Sequence, residues 1–240
     1  MAQQPDTQLP GGVLGILREV ENLKHSPVPS PGLDPQLALL RSWQSQRLAQ
    51  TYADLLATSR YRPACAFFMN ELYAARDFSQ RDHDIEQMYG FMSRVFPAAM
   101  IRPLKQTVDL HRLTQSLDSR LLEVLVNQLG LTDSLTESMY AEAYRLCDNY
   151  VERVKQIEWI YKIGLMLDEI MGQPLTGTAL AIAKVPARRA GWTELTDFLD
   201  NGYKAFKHMH GAEHFVNTIR QREKQILDKI YAEDPTPFAL

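Results

Sequence analysis

Apolar residues recur every three or four positions over most of the chain, which is the spacing of one face of an α-helix. Leu110, Leu113, Leu117, Leu121 and Val124 form one such row. Proline, glycine and capping residues separate the periodic segments, and no segment has the alternating pattern of a strand. The pattern predicts helices over residues 13–23, 35–58, 62–75, 79–95, 98–128, 134–171, 175–184, 193–209 and 212–232.

Long amphipathic helices joined by short turns indicate an all-α fold, a bundle of about seven or eight amphipathic helices. Residues 134–171 are predicted to be one long central helix. We expect a bundle domain over residues 34–233 and a C-terminal tail over 234–240. Residues 1–33 are expected to be an N-terminal tail with a short helix and a Pro-rich linker. This short helix would dock as an arm, either on the bundle or on a second subunit.

Composition narrows the class of protein. The chain has 240 residues, a net charge of −3 and a pI of about 6.1. Because no basic excess is available to neutralise phosphates, nucleic acid is not expected as a partner. No apolar run reaches the about 18 residues of a membrane span, and residues 1–12 lack the pattern of a signal peptide. We therefore expect a soluble, cytoplasmic protein with two reduced cysteines, Cys65 and Cys147.

The segment 61–97 places charged residues beside aromatic ones. Glu71 lies one helical turn after Phe67 and Phe68, so a partner is expected for its carboxylate. The candidate ligand-binding residues here are Glu71, Tyr73, Arg76, Asp77 and Arg81. The alternative is structural: Ser79 to Asp82 has the form of a capping box, Asp77 would cap the same joint, and these residues would only hold a corner.

A second polar group interrupts an apolar row of the helix over 98–128. The row contains His111, Gln115 and Asp118 between apolar residues, so these three need partners from another helix. His111 and Asp118 are two turns apart, roughly 10 Å, and cannot bond directly. The alternatives are a satisfied core histidine and a small buried polar pocket that contains His111 and Asp118. Arg153 lies on an apolar face. It is expected either to bind a carboxylate, Glu71 or Asp118, or to extend its charged head into water.

The residues from Tyr61 to Asp82 resemble a family of uncharacterised bacterial helical proteins that carry the motif FFxx(E/D)LYGxxDFSxRD. The matching residues are Phe67, Phe68, Glu71, Leu72, Tyr73, Asp77, Phe78, Ser79, Arg81 and Asp82. Weaker blocks around Leu110 and over 186–215 extend the resemblance to about residues 61–232. Ala74 departs from the family glycine, which puts the turn after Tyr73 in doubt. The resemblance implies an all-helical fold and a bacterial source, and it implies no reaction.

Metal and nucleotide motifs are weak or lacking. The chain has no Glu-x-x-His pair of the kind that di-iron bundles use, and no P-loop or G-x-G-x-x-G. Gly211 interrupts the possible metal-binding cluster of His208, His210 and His214. These residues are better explained as histidines near a helix C-terminus, where the helix dipole favours them. The sequence therefore predicts no metal site and leaves any cofactor unknown.

Two functions remain. The first is a non-catalytic binding or scaffold protein that acts through a helical face, the N-terminal arm or self-association. Its partner would be another copy of the chain, in a homo-oligomer, or a different protein. The second is a small-ligand-binding protein or an enzyme whose pocket combines the charged corner with His111 and Asp118. Convergence of the seven candidate residues on one cavity would favour the second function, and pairing among themselves would favour the first.

Overall fold

The computed structural model describes residues 26–29, 32–95, 98–174 and 176–240, and within them the chain forms ten α-helices and no strand. The predicted all-α class is confirmed. The predicted helix over 13–23 lies outside the described residues. The helices are α1 Pro35–Thr51, α2 Ala53–Ala57, α3 Arg62–Glu71, α4 Ser79–Val95, α5 Ala98–Asn127, α6 Glu137–Cys147, α7 Tyr150–Gly172, α8 Thr176–Arg189, α9 Thr193–Met209 and α10 Glu213–Tyr231.

Helix starts follow local chemistry. The Asp34 carboxylate accepts hydrogen bonds from the backbone N–H groups of Gln36 (2.9 Å) and Leu37 (3.0 Å), and Pro35 occupies the first turn. Thr136 caps α6 through its hydroxyl, which accepts from the Met139 N–H at 3.2 Å. These caps satisfy N–H groups that have no partner inside the helix, so each start can be read from a few neighbouring residues.

The predicted helix over 134–171 is wrong, because two helices, α6 and α7, occupy that region. Asp148 takes the left-handed conformation (φ 48°, ψ 42°) and ends α6, which Asp tolerates better than most residues. The Tyr231 hydroxyl stabilises the break: it accepts from the Asn149 N–H at 3.2 Å and donates to the Tyr144 carbonyl at 3.0 Å. A side chain from α10 therefore supports a break that helical spacing alone does not show.

Three other helix ends also differ from prediction. The helix that begins at Pro35 ends at Thr51, and the short α2 follows it. The next helix, α3, ends at Glu71, four residues before the predicted end at Ala75. The expected stop at Pro186 is wrong, since α8 continues through this proline to Arg189.

The core has two main parts. One joins α3, α9 and α10 around Phe206, Met209 and Phe215, and the other joins α1, α5 and α6 around Leu121 and Tyr140. Between them α7 packs along both α10 and α5. None of the described helices has the length and apolar composition that crossing a membrane requires.

Candidate functional site

The joint between α3 and α4, residues 72–78, is built around one buried ring. Phe78 is only 4% exposed. Three guanidinium groups lie over it, with ring-centroid distances of 5.6 Å for Arg41, 4.6 Å for Arg76 and 4.1 Å for Arg81. Arg41 also donates to the Arg76 carbonyl at 2.8 Å, which ties α1 to the joint. The ring quadrupole attracts all three cations, so the joint concentrates positive charge on an aromatic centre.

Glu71 ends α3 with its carboxylate already engaged. Oε2 accepts from Arg76 Nη2 at 2.6 Å and Oε1 accepts from Asn201 Nδ2 at 3.1 Å, while the Glu71 carbonyl accepts from Arg81 Nη1. Asp77 has a capping role, because its Oδ1 accepts from the Ser79 N–H (2.8 Å) and hydroxyl (2.6 Å). These contacts hold the turn before α4 in one geometry.

Arg81, Asp82 and His111 form a connected ion cluster. Arg81 is 5% exposed and binds Asp82 Oδ1 through Nε (2.9 Å) and Nη2 (2.6 Å). His111 Nε2, from α5, lies 3.4 Å from the other oxygen of Asp82. Burial would raise the pKa of Asp82, but the hydrogen bond with His111 and the Arg81 charge outweigh it and lower this pKa. A carboxylate therefore orients the imidazole, and its charge is matched on both sides.

Asp118 belongs to a second group of polar residues, which contains Arg153 of α7. Asp118 lies 3.6 Å from Arg153 Nη1, so the expected pairing of Arg153 with Asp118 is confirmed and the alternative with Glu71 is wrong. Burial raises the pKa of Asp118, although 24% of the side chain is exposed, and the Arg153 charge offsets this only in part. Burial likewise raises the pKa of Tyr73, and the nearby Asp118 charge adds to the effect.

The seven predicted residues thus separate into two groups. Glu71, Arg76, Asp77, Arg81 and His111 are linked by contacts in or beside the joint, whereas Asp118 pairs with Arg153 and its charge acts on Tyr73. Of the two cavities described below, one is lined by Glu71 alone among the seven and the other by none of them. The expectation that His111 and Asp118 need partners from other helices is correct, but the two residues have different partners.

A groove of about 380 Å³ lies between α3 and α9, beside the joint. Its floor is apolar and its rim is polar, and of the seven predicted residues only Glu71 contributes to it. The groove is lined by Pro63, Ala66, Phe67, Asn70, Glu71, Asn201, Lys204, Ala205 and His208. We call it the α3–α9 groove.

Small residues shape this groove. A Cβ atom at Gly202 would lie 3.1 Å from Phe67 Cζ, so the glycine lets that ring lie directly against α9. Ala66 and Ala205 leave space beside the ring. Sequence reasoning missed Asn70, Asn201 and Lys204, and it assigned His208 only to a helix end. The sequence feature that could have indicated the groove is the presence of small residues on two aromatic-rich helices. That feature does not show that the two helices face each other.

The His208 imidazole Nε2 lies 3.2 Å from the Ser59 carbonyl. Among the described residues, no group of three His, Cys, Asp or Glu side chains has the arrangement to hold a metal ion. The groove therefore offers amide, carboxylate, ammonium and imidazole groups around an apolar floor, a set suited to hydrogen bonding.

A family model described as a domain of unknown function (DUF8198) matches residues 24–237. The chain belongs to the DUF8198 family. The match spans the joint, the groove and the pair of Asp118 with Arg153, and it agrees with the expectation of a family with no assigned activity. No curated protein and no solved structure matches the chain.

Proposed function

We propose that the protein is a non-catalytic binding protein whose α3–α9 groove takes a peptide segment of a partner protein. One observation carries the proposal: the groove is of ligand-binding size, while the charged residues beside it are already paired with each other. Ligand sites are typically clefts of about 300–1,000 Å³ with an apolar lining and a few polar groups. In this proposal the joint positions Glu71, and Glu71 contacts the partner.

The ion pairs of the joint hold Glu71 at the edge of the groove. Arg76 Nη2 binds the Glu71 carboxylate at 2.6 Å, and Arg81 binds both the Glu71 carbonyl and Asp82. His111 contacts the other oxygen of Asp82. These contacts lie within the fold, so in this proposal the cluster supports the groove.

The exposed rim supports a peptide over a small molecule. Asn70, Asn201, Lys204 and His208 are all exposed, so the groove is open to solvent along its edge. Small-molecule sites bury about 70–90% of their ligand, which an open groove does not achieve. The amides of Asn70 and Asn201 donate and accept hydrogen bonds, as peptide groups require, and the apolar floor would accept one apolar side chain of the peptide.

The setting is part of the same proposal. The resemblance of residues 61–82 supports a bacterial source, and the two free thiols of Cys65 and Cys147 support a cytoplasmic location. The net charge of −3 supports a protein partner over nucleic acid.

Peptide display against the full chain, followed by calorimetry of the selected peptides, tests the groove. Ala66→Arg places a long cationic side chain on the groove floor, and we expect peptide affinity to fall by at least about tenfold, or 1.4 kcal/mol. The matched control is Ala183→Arg, the same change at an exposed position of α8, which should leave affinity unchanged. Equal affinities for the two variants would refute the groove as the binding site.

Native mass spectrometry with elemental analysis addresses the alternative function, a small-ligand-binding protein or an enzyme. A bound small molecule or a stoichiometric metal in the purified protein would favour that alternative. A measured mass equal to that of the protein without any bound ligand favours the peptide-binding proposal. If that mass is a multiple of the mass of one chain, the protein self-associates.

A further inference from the structure

A small cavity lies inside the bundle between α6, α7 and α10, away from the α3–α9 groove. Its volume is about 40 Å³. A buried water needs about 10–15 Å³ of such space, so the cavity accommodates about three waters or an ion of similar size. Polar side chains form much of its wall: Arg47, Tyr140, Tyr144, Arg153, Gln156 and Glu223. We call it the arginine cavity.

Both arginines of this wall have an N–H group without an acceptor. The Nε atoms of Arg47 and Arg153 are buried and have no hydrogen-bond partner among the described residues. Arg153 is 4% exposed, and its other nitrogens bind Gln156 Oε1 (3.2 Å) and the Leu117 carbonyl (3.1 Å). A buried N–H of a charged group that lacks an acceptor is costly, so an acceptor inside the cavity would stabilise the fold.

The carboxylates near the wall leave both arginine Nε–H groups without an acceptor. Glu223 Oε1 is already shared by Arg47 Nη1 (2.5 Å) and the Tyr52 hydroxyl (2.7 Å). Asp118 lies 3.6 Å from Arg153 Nη1 and balances the charge of Arg153. Each guanidinium group therefore has one carboxylate partner and keeps one buried N–H group that a further acceptor would satisfy.

A hydroxyl adds a further donor. Tyr140 donates to the Tyr144 hydroxyl at 3.0 Å, so the Tyr144 proton is available to another acceptor. Gln156 uses its amide nitrogen on Thr114 (2.9 Å) and its oxygen on Arg153, so it offers the cavity no strong acceptor. The wall therefore holds more donors than acceptors.

The segment 234–240 covers the cavity. Phe238 is part of its lining and packs against the rings of Trp43 (5.5 Å) and Tyr140 (6.0 Å). Lys229 Nζ donates to the Ala239 carbonyl at 2.6 Å and holds the segment against α10. Exclusion of solvent lowers the local dielectric constant and strengthens the attraction between the arginines and any anion within the cavity.

We propose that the arginine cavity is a binding site for one small monovalent anion of the size of chloride, held between Arg47 and Arg153. The anion accepts from the two Nε–H groups and from the Tyr144 hydroxyl. The site is structural: its occupant joins α1, α6 and α7. Neither the groove nor its peptide is involved, so this inference is independent of the proposed function.

Thermal unfolding in sodium chloride and in sodium gluconate at equal ionic strength tests the site, because gluconate is too large for the cavity. We expect a higher Tm in chloride, rising by about 3–5 °C per tenfold chloride above saturation. In the Arg153→Met variant, the Tm should not rise with chloride concentration. Arg220→Met, at an arginine paired with Glu158 outside the cavity, should keep this chloride increment.

Bromide soaked into crystals of the unmodified protein gives a second measurement if Arg153→Met does not fold. An anomalous peak in hydrogen-bond contact with both Nε atoms, together with the chloride increment in solution, supports the proposal. Water alone in the cavity at saturating bromide, or equal chloride increments for the unmodified protein and Arg153→Met, would overturn it.

Discussion

Gly164 of α7 lies directly against Val216 of α10, and its substitution by alanine provides a test of how tightly these helices pack. A Cβ atom at Gly164 would overlap the Cγ1 atom of Val216 and lie 3.3 Å from its Cβ. Val216 is 1% exposed, and a helical valine has one strongly preferred rotamer. Restoring an ordinary carbon–carbon separation of about 3.5–4.0 Å would therefore require the helices to move apart.

The expected magnitude is the difference of two effects. Overpacking costs about 1–3 kcal/mol, and replacing a helical glycine by alanine recovers about 1 kcal/mol. We expect Gly164→Ala to lower the free energy of unfolding by up to about 2 kcal/mol, which corresponds to a Tm lower by up to about 8 °C. Urea unfolding measures this change, with an unchanged m-value showing that the unfolded state is unaffected.

Gly90→Ala in α4 is the matched control. Among the described atoms, nothing lies within 4 Å of a Cβ placed at Gly90, so this change should stabilise the protein by about 0.5–1 kcal/mol. Val216→Ala supplies the second arm, because it removes the overlapping methyl group. In that background Gly164→Ala should be neutral or stabilising, a coupling that a double-mutant cycle measures. An equal cost of Gly164→Ala in both backgrounds would refute the packing argument.

Three further predictions concern the joint and the cysteines. Arg81→Met leaves Asp82 without its main cation and should lower the free energy of unfolding by about 3 kcal/mol in urea. The folded state lowers the pKa of Asp82 below its ordinary 3.8, so the carboxylate stabilises the protein above pH 3.8 and loses this effect as the pH falls through the folded pKa. Asp82→Asn should therefore be destabilising at pH 7 and approach the unmodified protein in acid; a pH-independent difference would contradict this. Burial raises the pKa of both thiols, to about 11 for Cys65, but Cys65 is buried and Cys147 is partly exposed, so a thiol reagent at pH 8 should modify Cys147 first and Cys65 only on unfolding.

The helices that sequence reasoning placed correctly are those with local signals at both ends. The predicted helix over 193–209 matches α9, Thr193–Met209, which is followed by His210 in the left-handed conformation and then Gly211. The start at Pro35 follows from the Asp34 cap next to it. Caps and periodicity depend on residues close together in sequence, so the chain itself carries this information.

The breaks between helices were harder to predict, because the contacts that support them come from residues distant in sequence. Asp148 interrupts a regular apolar pattern, and the support for the interruption comes from Tyr231, 82 residues beyond Asn149. The joint after Glu71 likewise depends on contacts with Arg41 and Asn201 from distant helices. Helical spacing shows on which face of a helix a residue lies. It carries no information about partners that are distant in sequence.

The candidate site shows the same division. Two residues of the polar row on α5, His111 and Asp118, were correctly expected to have partners on other helices, and Asp118 was one of the options given for Arg153. The single pocket for seven residues stays a prediction, and the structure adds that α4 contacts His111 while α7 contacts Asp118. The groove was missed because it arises where Phe67 meets Gly202 on a helix far along the chain.

The sequence by itself determined the all-α class, most helix starts, and the presence of charged residues on buried helix faces. Only the tertiary structure decided which of these charges meet, where the α3–α9 groove opens, and that two arginines share one small cavity. The physical reason is range. Helix formation and capping act within a few residues, whereas ion pairs and cavities depend on the relative rotation and translation of helices, which packing of the whole chain establishes.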